Sequence, residues 1–383
     1  MLEDFLKKWE PADDGDWTGY AALPLENGQT KLAFYSSTPY FDVTLLWHDR
    51  VYADQFNDRE PYDRLTHLFY LPTDRLQPGD RLIVSGYDSA DEEDRYYYET
   101  AFQPDALKNA EELKEAYDHR LTVETEEIEQ VADGLEYRHL LLRDPDQAAV
   151  HAFLLRVDMQ KNTLYVGTPN DEYKVGHVIA KVPDMIDSAV QNGQDVLAAM
   201  NADFFDMFGD GHPSGLCVKN GRVVANADCP RPFIGVRKDG SAVVASLAED
   251  PALLDELEQA AAGLEMILKD GELFEWGPLE PFSYVRHPRT AAGVTADGTV
   301  LLLEVDGRIP EYSNGASLID LAVLLRRFGA VRAVNLDGGG SSVTYTKAGD
   351  EFLLRSNPAD LFHPRDKLIR DEYNCLLVVR KSE

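Results

Sequence analysis

The chain has 383 residues, with 68 Asp and Glu against 37 Lys and Arg and a formal net charge of -31. Its length is long for one core, so two domains are expected. The charge argues against non-specific nucleic-acid binding, which depends on Lys and Arg neutralising phosphates, so nucleic acid is not an expected partner. Residues 1–130 hold 30 acidic and 12 basic side chains, which places -18 of the -31 in that third. An acidic surface of this kind promotes solubility. The cysteines Cys217, Cys229 and Cys375 show no C-x-x-C spacing, so they suggest free thiols and neither a disulfide framework nor a zinc site. The opening MLEDFLKKWEPADDGDW lacks the basic and then apolar pattern of a signal peptide. No apolar run approaches the roughly 20 residues of a membrane span. These features fit a cytoplasmic protein, or a secreted one whose leader has been removed.

The first third reads as strands with turn punctuation: KLAFYSS (31–37), FDVTLLWH (41–48), THLFYLP (66–72) and DRLIVSGYD (80–88). The stretch DALKNAEELKEAYDHRL (105–121) has helical composition, and ETEEIEQ (124–130) reads as an acidic connector. The expected domains are therefore 1–130, a β-rich accessory domain with an acidic helical linker, and 131–383.

The second domain opens with the strands LEYRHLLLR (135–143), AVHAFLLRVD (149–158) and NTLYVGTP (162–169). PDMIDSAVQNG (183–193) predicts a helix, with Pro at its start and Gly past its end. Hairpins are predicted at Asn220-Gly221, Asp239-Gly240 and Asp297-Gly298. Residues 249–262 have helical composition. SLIDLAVLLRRFG (317–329) predicts an amphipathic helix, with Ser317 as N-cap, Asp320 three residues on as an imperfect capping box and Gly329 ending it. The fold class expected is α+β: a mixed, mainly antiparallel sheet with packed helices, preceded by a small β-sandwich-like domain.

Three apolar runs end in acid. DVLAAM reaches Asn201-Ala202-Asp203, TVLLLEV reaches Asp306-Gly307-Arg308, and AVRAV reaches Asn335-Leu336-Asp337. Apolar runs of this length suggest strands buried on both faces, and polar groups at their ends can gather at a sheet edge. After Asp337 come Gly338, Gly339 and Gly340, then Ser341 and Ser342. Without Cβ atoms, successive backbone N–H groups can cradle an anion, or another stretch of backbone can pack close. No Lys follows in the P-loop spacing, so a nucleoside triphosphate is not expected. Arg231 and Arg289 lie beside prolines before strands, and Arg308 follows Asp306; an Arg on stiff backbone can hold a phosphate bidentately. His212 is read as a proton donor or a loop histidine. DFFDMFGDGH (203–212) has spaced acids but lacks the calcium-loop pattern. No cofactor is expected, and a divalent metal stays open.

Taken in order, NADFFD, GHPSGL, RHPRTAAGVTADG, VDGR and NLDGGGSS resemble the phosphodiester glycosidase family over roughly residues 135–383. Ala202 stands where that family commonly has Gly. The resemblance implies hydrolysis of the bond between a sugar's anomeric carbon and a phosphodiester oxygen, with N-acetylglucosamine as a candidate sugar. The implied substrate is a glycosyl phosphodiester or phosphate-linked glycan. Asp337 and Asp306 are then expected as base or nucleophile, with Asp203 supporting. Arg289, Asn201, the glycines, Ser341, Ser342, Arg231, Arg308 and His212 are expected to bind substrate. Two other readings stay open: a metal-dependent phosphodiesterase with the acids as ligands, and a non-catalytic glycan- or wall-polymer-binding protein.

Overall fold

The computed structural model describes residues 121–381 apart from 145–146, 208, 274–285, 310–311 and 360–367, together with the strands of the N-terminal third and residues 77, 79 and 80. The chain divides into two compact units, Met1–Ala116 with Glu275–Val285, and Tyr117–Phe274 with Arg286–Glu383. The first unit holds β1 to β8: Glu10–Pro11, Trp17–Pro24, Gln29–Ser36, Asp42–Trp47, Arg50–Phe56, Thr66–Pro72, Arg81–Tyr87 and Arg95–Ala101. They form one five-stranded sheet, β1-β8-β7-β4-β5, and one three-stranded sheet, β2-β3-β6. The four strands expected from sequence in this region correspond to β3, β4, β6 and β7. The stretch expected to be helical at 105–121 lies, but for its last residue, outside the described residues.

The second unit is built on three antiparallel sheets. β9 to β12 span Thr122–Ala132, Leu135–Arg143, Ala149–Val157 and Asn162–Gly167, and α1 spans Val182–Gln191. β13 to β18 span Val196–Asn201, Cys217–Lys219, Arg222–Ala225, Pro232–Arg237, Ala242–Ser246 and Leu257–Ala262. β19 to β22 span Met266–Lys269, Glu272–Leu273, Arg289–Thr295 and Val300–Val305, and α2 spans Leu318–Arg327. β23 to β26 span Ala330–Leu336, Thr344–Ala348, Glu351–Leu354 and Cys375–Arg380. The sheet orders are β20-β19-β23-β21-β22-β11-β10-β9, β12-β26-β13-β24-β25 and β15-β14-β18-β16-β17.

Side chains from all three sheets meet in one core, including Phe153, Leu302 and Leu336 from the eight-stranded sheet, Met200 and Val378 from the second, and Ile234 and Ala261 from the third. On β13, Ala198 and Met200 face that core, while Ala199 and, across a register shift, Val196 pack on the other face with Val182, Met185, Ile186 and Ala189 of α1. β13 and β22 are therefore buried along their whole length, as apolar runs without alternation imply.

Three expectations need correction. The expected α+β class with packed helices is replaced by a mostly antiparallel β architecture, because helix α1 covers one sheet face and α2 another while the sheets bury each other. Among the described residues these are the α-helices, ten residues each. Residues 249–262 form only a 3-10 turn at Pro251–Glu256 before β18, which lies inside the third sheet. There the small side chains of Ala260–Ala262 fit a crowded interior, so packing overrides helix propensity. The acidic segment 124–130 belongs to strand β9, paired along β10 with the ion pairs Arg138–Glu126 and Arg143–Glu124.

The hairpin and helix signals have a direct structural counterpart. Asn220 and Gly221 have φ of 50° and 68°, the left-handed pair that a type I′ turn needs. Ser317 accepts from the Asp320 amide and the Asp320 carboxylate accepts from the Ser317 amide, closing a full capping box, and Gly329 has φ +96°. Ser317 is fully buried. Replacing it with Ala should lower unfolding free energy by about 1–2 kcal/mol, with the denaturant slope unchanged. No loss in equilibrium denaturation would show that α2 does not depend on its cap.

Candidate active site

The three acid-ending strands come from two facing sheets. β13 lies in the five-stranded sheet, while β22 and β23 flank β21 in the eight-stranded sheet. Asn201, at the end of β13, joins them. Its Nδ2 donates to the Asp337 carbonyl at 2.6 Å, and its Oδ1 accepts from Thr290 Oγ1 at 2.9 Å and from the Val343 amide at 3.2 Å. Thr290 Oγ1 also reaches Ser342 Oγ at 3.3 Å. The Asp337 amide donates to the Ala202 carbonyl at 2.8 Å. Asp203 and Asp337 are thereby fixed beside one another.

Asp337 is half-buried at the head of the glycine turn. One carboxylate oxygen accepts from the Gly338 amide at 2.8 Å and the other from Ser341 Oγ at 2.7 Å. Burial pushes Asp337 up to about 6, against the lowering effects of Ser341, Arg370, the Gly338 amide and Arg308. Asp203 is fully buried. Its Oδ2 accepts from the Gly215 amide at 2.9 Å, and its own amide donates to Asn374 Oδ1 at 2.9 Å. Burial holds Asp203 well above the usual carboxylate range, opposed by the Gly215 amide and by the Arg231 charge and reinforced by Asp337. Burial thus raises both neighbouring acids, Asp203 where protein encloses it fully and Asp337 where it is only half-buried.

The glycines serve close approach. The backbone at Pro288 runs between Gly307 and Gly338. A Cβ on Gly307 would meet Pro288 N at 2.7 Å, and one on Gly338 would meet the Pro288 carbonyl at 2.7 Å. Gly339 has φ +63°, and a Cβ there would lie 2.9 Å from Arg308 Nη2. Arg308 itself has φ +63°, an uncommon conformation for a residue with a side chain. The row of amides does not form the open anion cradle expected from sequence. The Gly338 amide is spent on the Asp337 carboxylate and the Gly339 amide on the Pro288 carbonyl, and Gly340 and Ser341 are buried. The positive charge beside the turn comes from Arg308 and from Arg370, whose Nη1 lies 3.4 Å from Ser341 Oγ.

Asp306 is not brought against Asp337. The strand β21 lies between their strands, which puts the two backbones about 10 Å apart at sheet spacing. Both Asp306 oxygens accept from the Asn357 amide at 2.9 Å, and one also accepts from the Tyr312 hydroxyl at 3.1 Å. Its neighbour Glu304 is fully buried and held well above its ordinary pKa by burial and by the Asp306 charge. This second pair is closed over by protein. Arg289 is buried, with Nε directed to the Ala316 carbonyl at 3.4 Å, on the helix side of β21. His212 turns Nδ1 to the Pro213 carbonyl at 2.9 Å within the loop that supplies Gly215. Cys217 and Cys375 are buried and Cys229 half-buried, all as free thiols.

Sequence reasoning missed Thr290 and the segment 370–374. In RDEYN, Arg370 reaches Ser341, Glu372 is fully buried, and Asn374 holds the Asp203 amide. The alternating polar residues just before β26 are the signal that was available. Among the described residues, no group of three or more His, Cys, Asp or Glu side chains is arranged to hold a metal ion. Replacing Gly338 with Ala should cost about 1–3 kcal/mol, because the new methyl meets backbone and cannot be relieved by a side-chain rotation. A denaturation midpoint equal to wild type would remove close packing as the reason for this glycine.

Residues 194–378 match the sequence profile of the family described as Phosphodiester glycosidase. The chain is 30% identical over 200 residues to the mouse N-acetylglucosamine-1-phosphodiester alpha-N-acetylglucosaminidase, covering 48% of this chain and 37% of that protein. The human protein of the same name is 30% identical over 196 residues, covering 46% of this chain and 36% of its own. The chain thus spans little more than a third of the length of these curated relatives. The solved catalytic domain of the zebrafish enzyme of that name superposes with a TM-score of 0.55, covering 68% of this chain and 89% of that one. At 22% identity, that likeness is one of fold. From residue 194 to residue 378, the chain is thus similar to the phosphodiester glycosidase family.

Proposed function

We propose that the chain hydrolyses glycosyl phosphodiesters at the bond between the anomeric carbon and the bridging oxygen, with Asp337 as the base. The observation that carries this reading is the half-buried Asp337 carboxylate at the turn, titrating near 6, with Arg308 and Arg370 beside it. Above that pH the carboxylate takes a proton from water as the water oxygen adds to the anomeric carbon. The carbon–oxygen bond breaks with its electron pair going to the phosphate. The products are a free sugar and a phosphate monoester. A phosphate leaves as a stable anion, so the arginines can stabilise the developing charge without a strong acid. The names of the mammalian relatives support an N-acetylglucosamine 1-phosphodiester as the substrate.

Asp203, fully buried, supports the site by fixing the Gly215 loop, with the Arg231 charge acting on it. Asp306 shapes the segment around Arg308 and takes no part in proton transfer. Arg289 supports the backbone that packs on Gly338. No helix among the described residues is long and apolar enough to cross a membrane.

Incubation with a panel that includes UDP-N-acetylglucosamine, in water enriched in oxygen-18, tests the reading. The label should enter the sugar, and Asp337→Asn should lower kcat/KM by about 10²–10⁴-fold, the usual worth of a positioned base. Label in the phosphate, or activity that a chelator abolishes, would instead favour a metal-dependent phosphodiesterase. For the wild type, kcat/KM should rise as pH increases through about 6, because the charged form of Asp337 is the active one. A rate that falls through that range would assign the proton to the wrong side of the reaction.

A further inference from the structure

Glu372 sits one residue before Tyr373 in the segment that leads into β26, and its surroundings are unlike those of the other acids. It is fully buried, and neither carboxyl oxygen has a hydrogen-bond partner. Its backbone cannot carry it away, because Glu372 and Ala180 exchange both backbone hydrogen bonds, at 2.8 and 2.9 Å. The residues on either side in the alternation are committed to the site. Arg370 reaches Ser341, which donates to Asp337, and Asn374 holds the Asp203 amide. The Tyr345 hydroxyl on β24 is likewise buried without a hydrogen-bond partner.

An unpaired carboxylate without hydrogen bonds in a protein interior is too costly to keep charged, and such a group neutralises. We propose that Glu372 is a carboxylic acid built into this site, one that keeps its proton at neutral pH and acts on the reaction through Asp337. This rests on the assignment of Asp337 as the reacting carboxylate. Glu372 is a positioning residue: it touches no reacting atom. While neutral, it leaves Asp337 as the one charged acid of the group. Once ionised, it sets a second negative charge beside Asp337 and against the approaching phosphate.

The groups that face Glu372 agree with this. Burial raises it well above the ordinary glutamate range, the Asp337 charge raises it further, Arg370 lowers it and Asp371 raises it. Tyr345 on β24 and Cys375 on β26 are both raised chiefly by burial, with Glu372 contributing. Of the influences on Glu372, only that of Arg370 favours the charged form.

The test is titration of the ligand-free protein by carbon-13 NMR of labelled glutamate carboxyls, paired with kcat/KM against pH. Wild type should show a glutamate signal that titrates above neutrality and is missing from Glu372→Gln. The substitution keeps the shape and removes the ionisation, so the variant should lose the alkaline decline in kcat/KM while keeping the rise near pH 6. If Glu372→Gln fails to fold, Asp337→Asn serves. Removing that charge should shift the Glu372 signal to lower pH, while Glu304, which answers to Asp306, stays in place. A Glu372 signal among the ordinary glutamates, an unmoved signal in Asp337→Asn, or an unchanged alkaline limb in Glu372→Gln would each overturn the inference. The titration needs no substrate, so it stands or falls separately from the proposed hydrolysis.

Discussion

One buried amide holds the site together. The Asn201 side chain ends β13 and donates to the carbonyl of Asp337 beyond β23, while accepting from Thr290 on β21 and from the amide of Val343 before β24. Four chain segments from two facing sheets are thereby tied at one point. A buried amide that spends donor and acceptor in this way costs little to keep and much to lose, because each stranded partner would forfeit a hydrogen bond without water to replace it. Asp203 follows two residues after Asn201, so the same anchor that fixes the sheets also fixes the spacing of the two acids.

From that anchor the electrostatics follow by burial. The protein is strongly acidic overall, yet the acids that matter are distinguished by how far protein has replaced water around them. Asp203 and Glu304 are fully enclosed and held well above the usual carboxylate range, whereas Asp337, beside Arg308, Arg370 and Ser341, is pushed up to about 6. Asp306 accepts main-chain and phenol hydrogen bonds from Asn357 and Tyr312 and is enclosed by protein. The two acid pairs thus differ in enclosure: Glu304 and Asp306 are both buried, whereas beside the buried Asp203 the Asp337 carboxylate is only half-buried.

Much of this was legible in the sequence, for identifiable reasons. The strands β10 to β13, the Asn220-Gly221 turn and the capped helix α2 are set by local chemistry that a short window contains. Asn201, Asp203, Asp337 and the glycines were also visible, since acids and glycines at the ends of apolar runs are unusual. The purpose of the glycines was only half visible: the alternative of close backbone packing needed Pro288, fifty residues earlier, to be seen against Gly338. Asp306 and Asp337 look alike in sequence, and only the intervening strand β21 separates them. The tail residues Arg370, Glu372 and Asn374 were passed over because a polar alternation before a strand resembles an ordinary edge. The helical reading of 249–262 failed because alanines suit a crowded sheet as well as a helix.

The most direct measurement is a crystal structure of Asp337→Asn with UDP-N-acetylglucosamine bound. The anomeric carbon should lie beside residue 337 and the phosphates against Arg308 and Arg370, with the Asp306 carboxylate still closed under Asn357 and Tyr312. A sugar nucleotide seated away from the glycine turn, or phosphates held by other residues with Arg308 and Arg370 untouched, would contradict it.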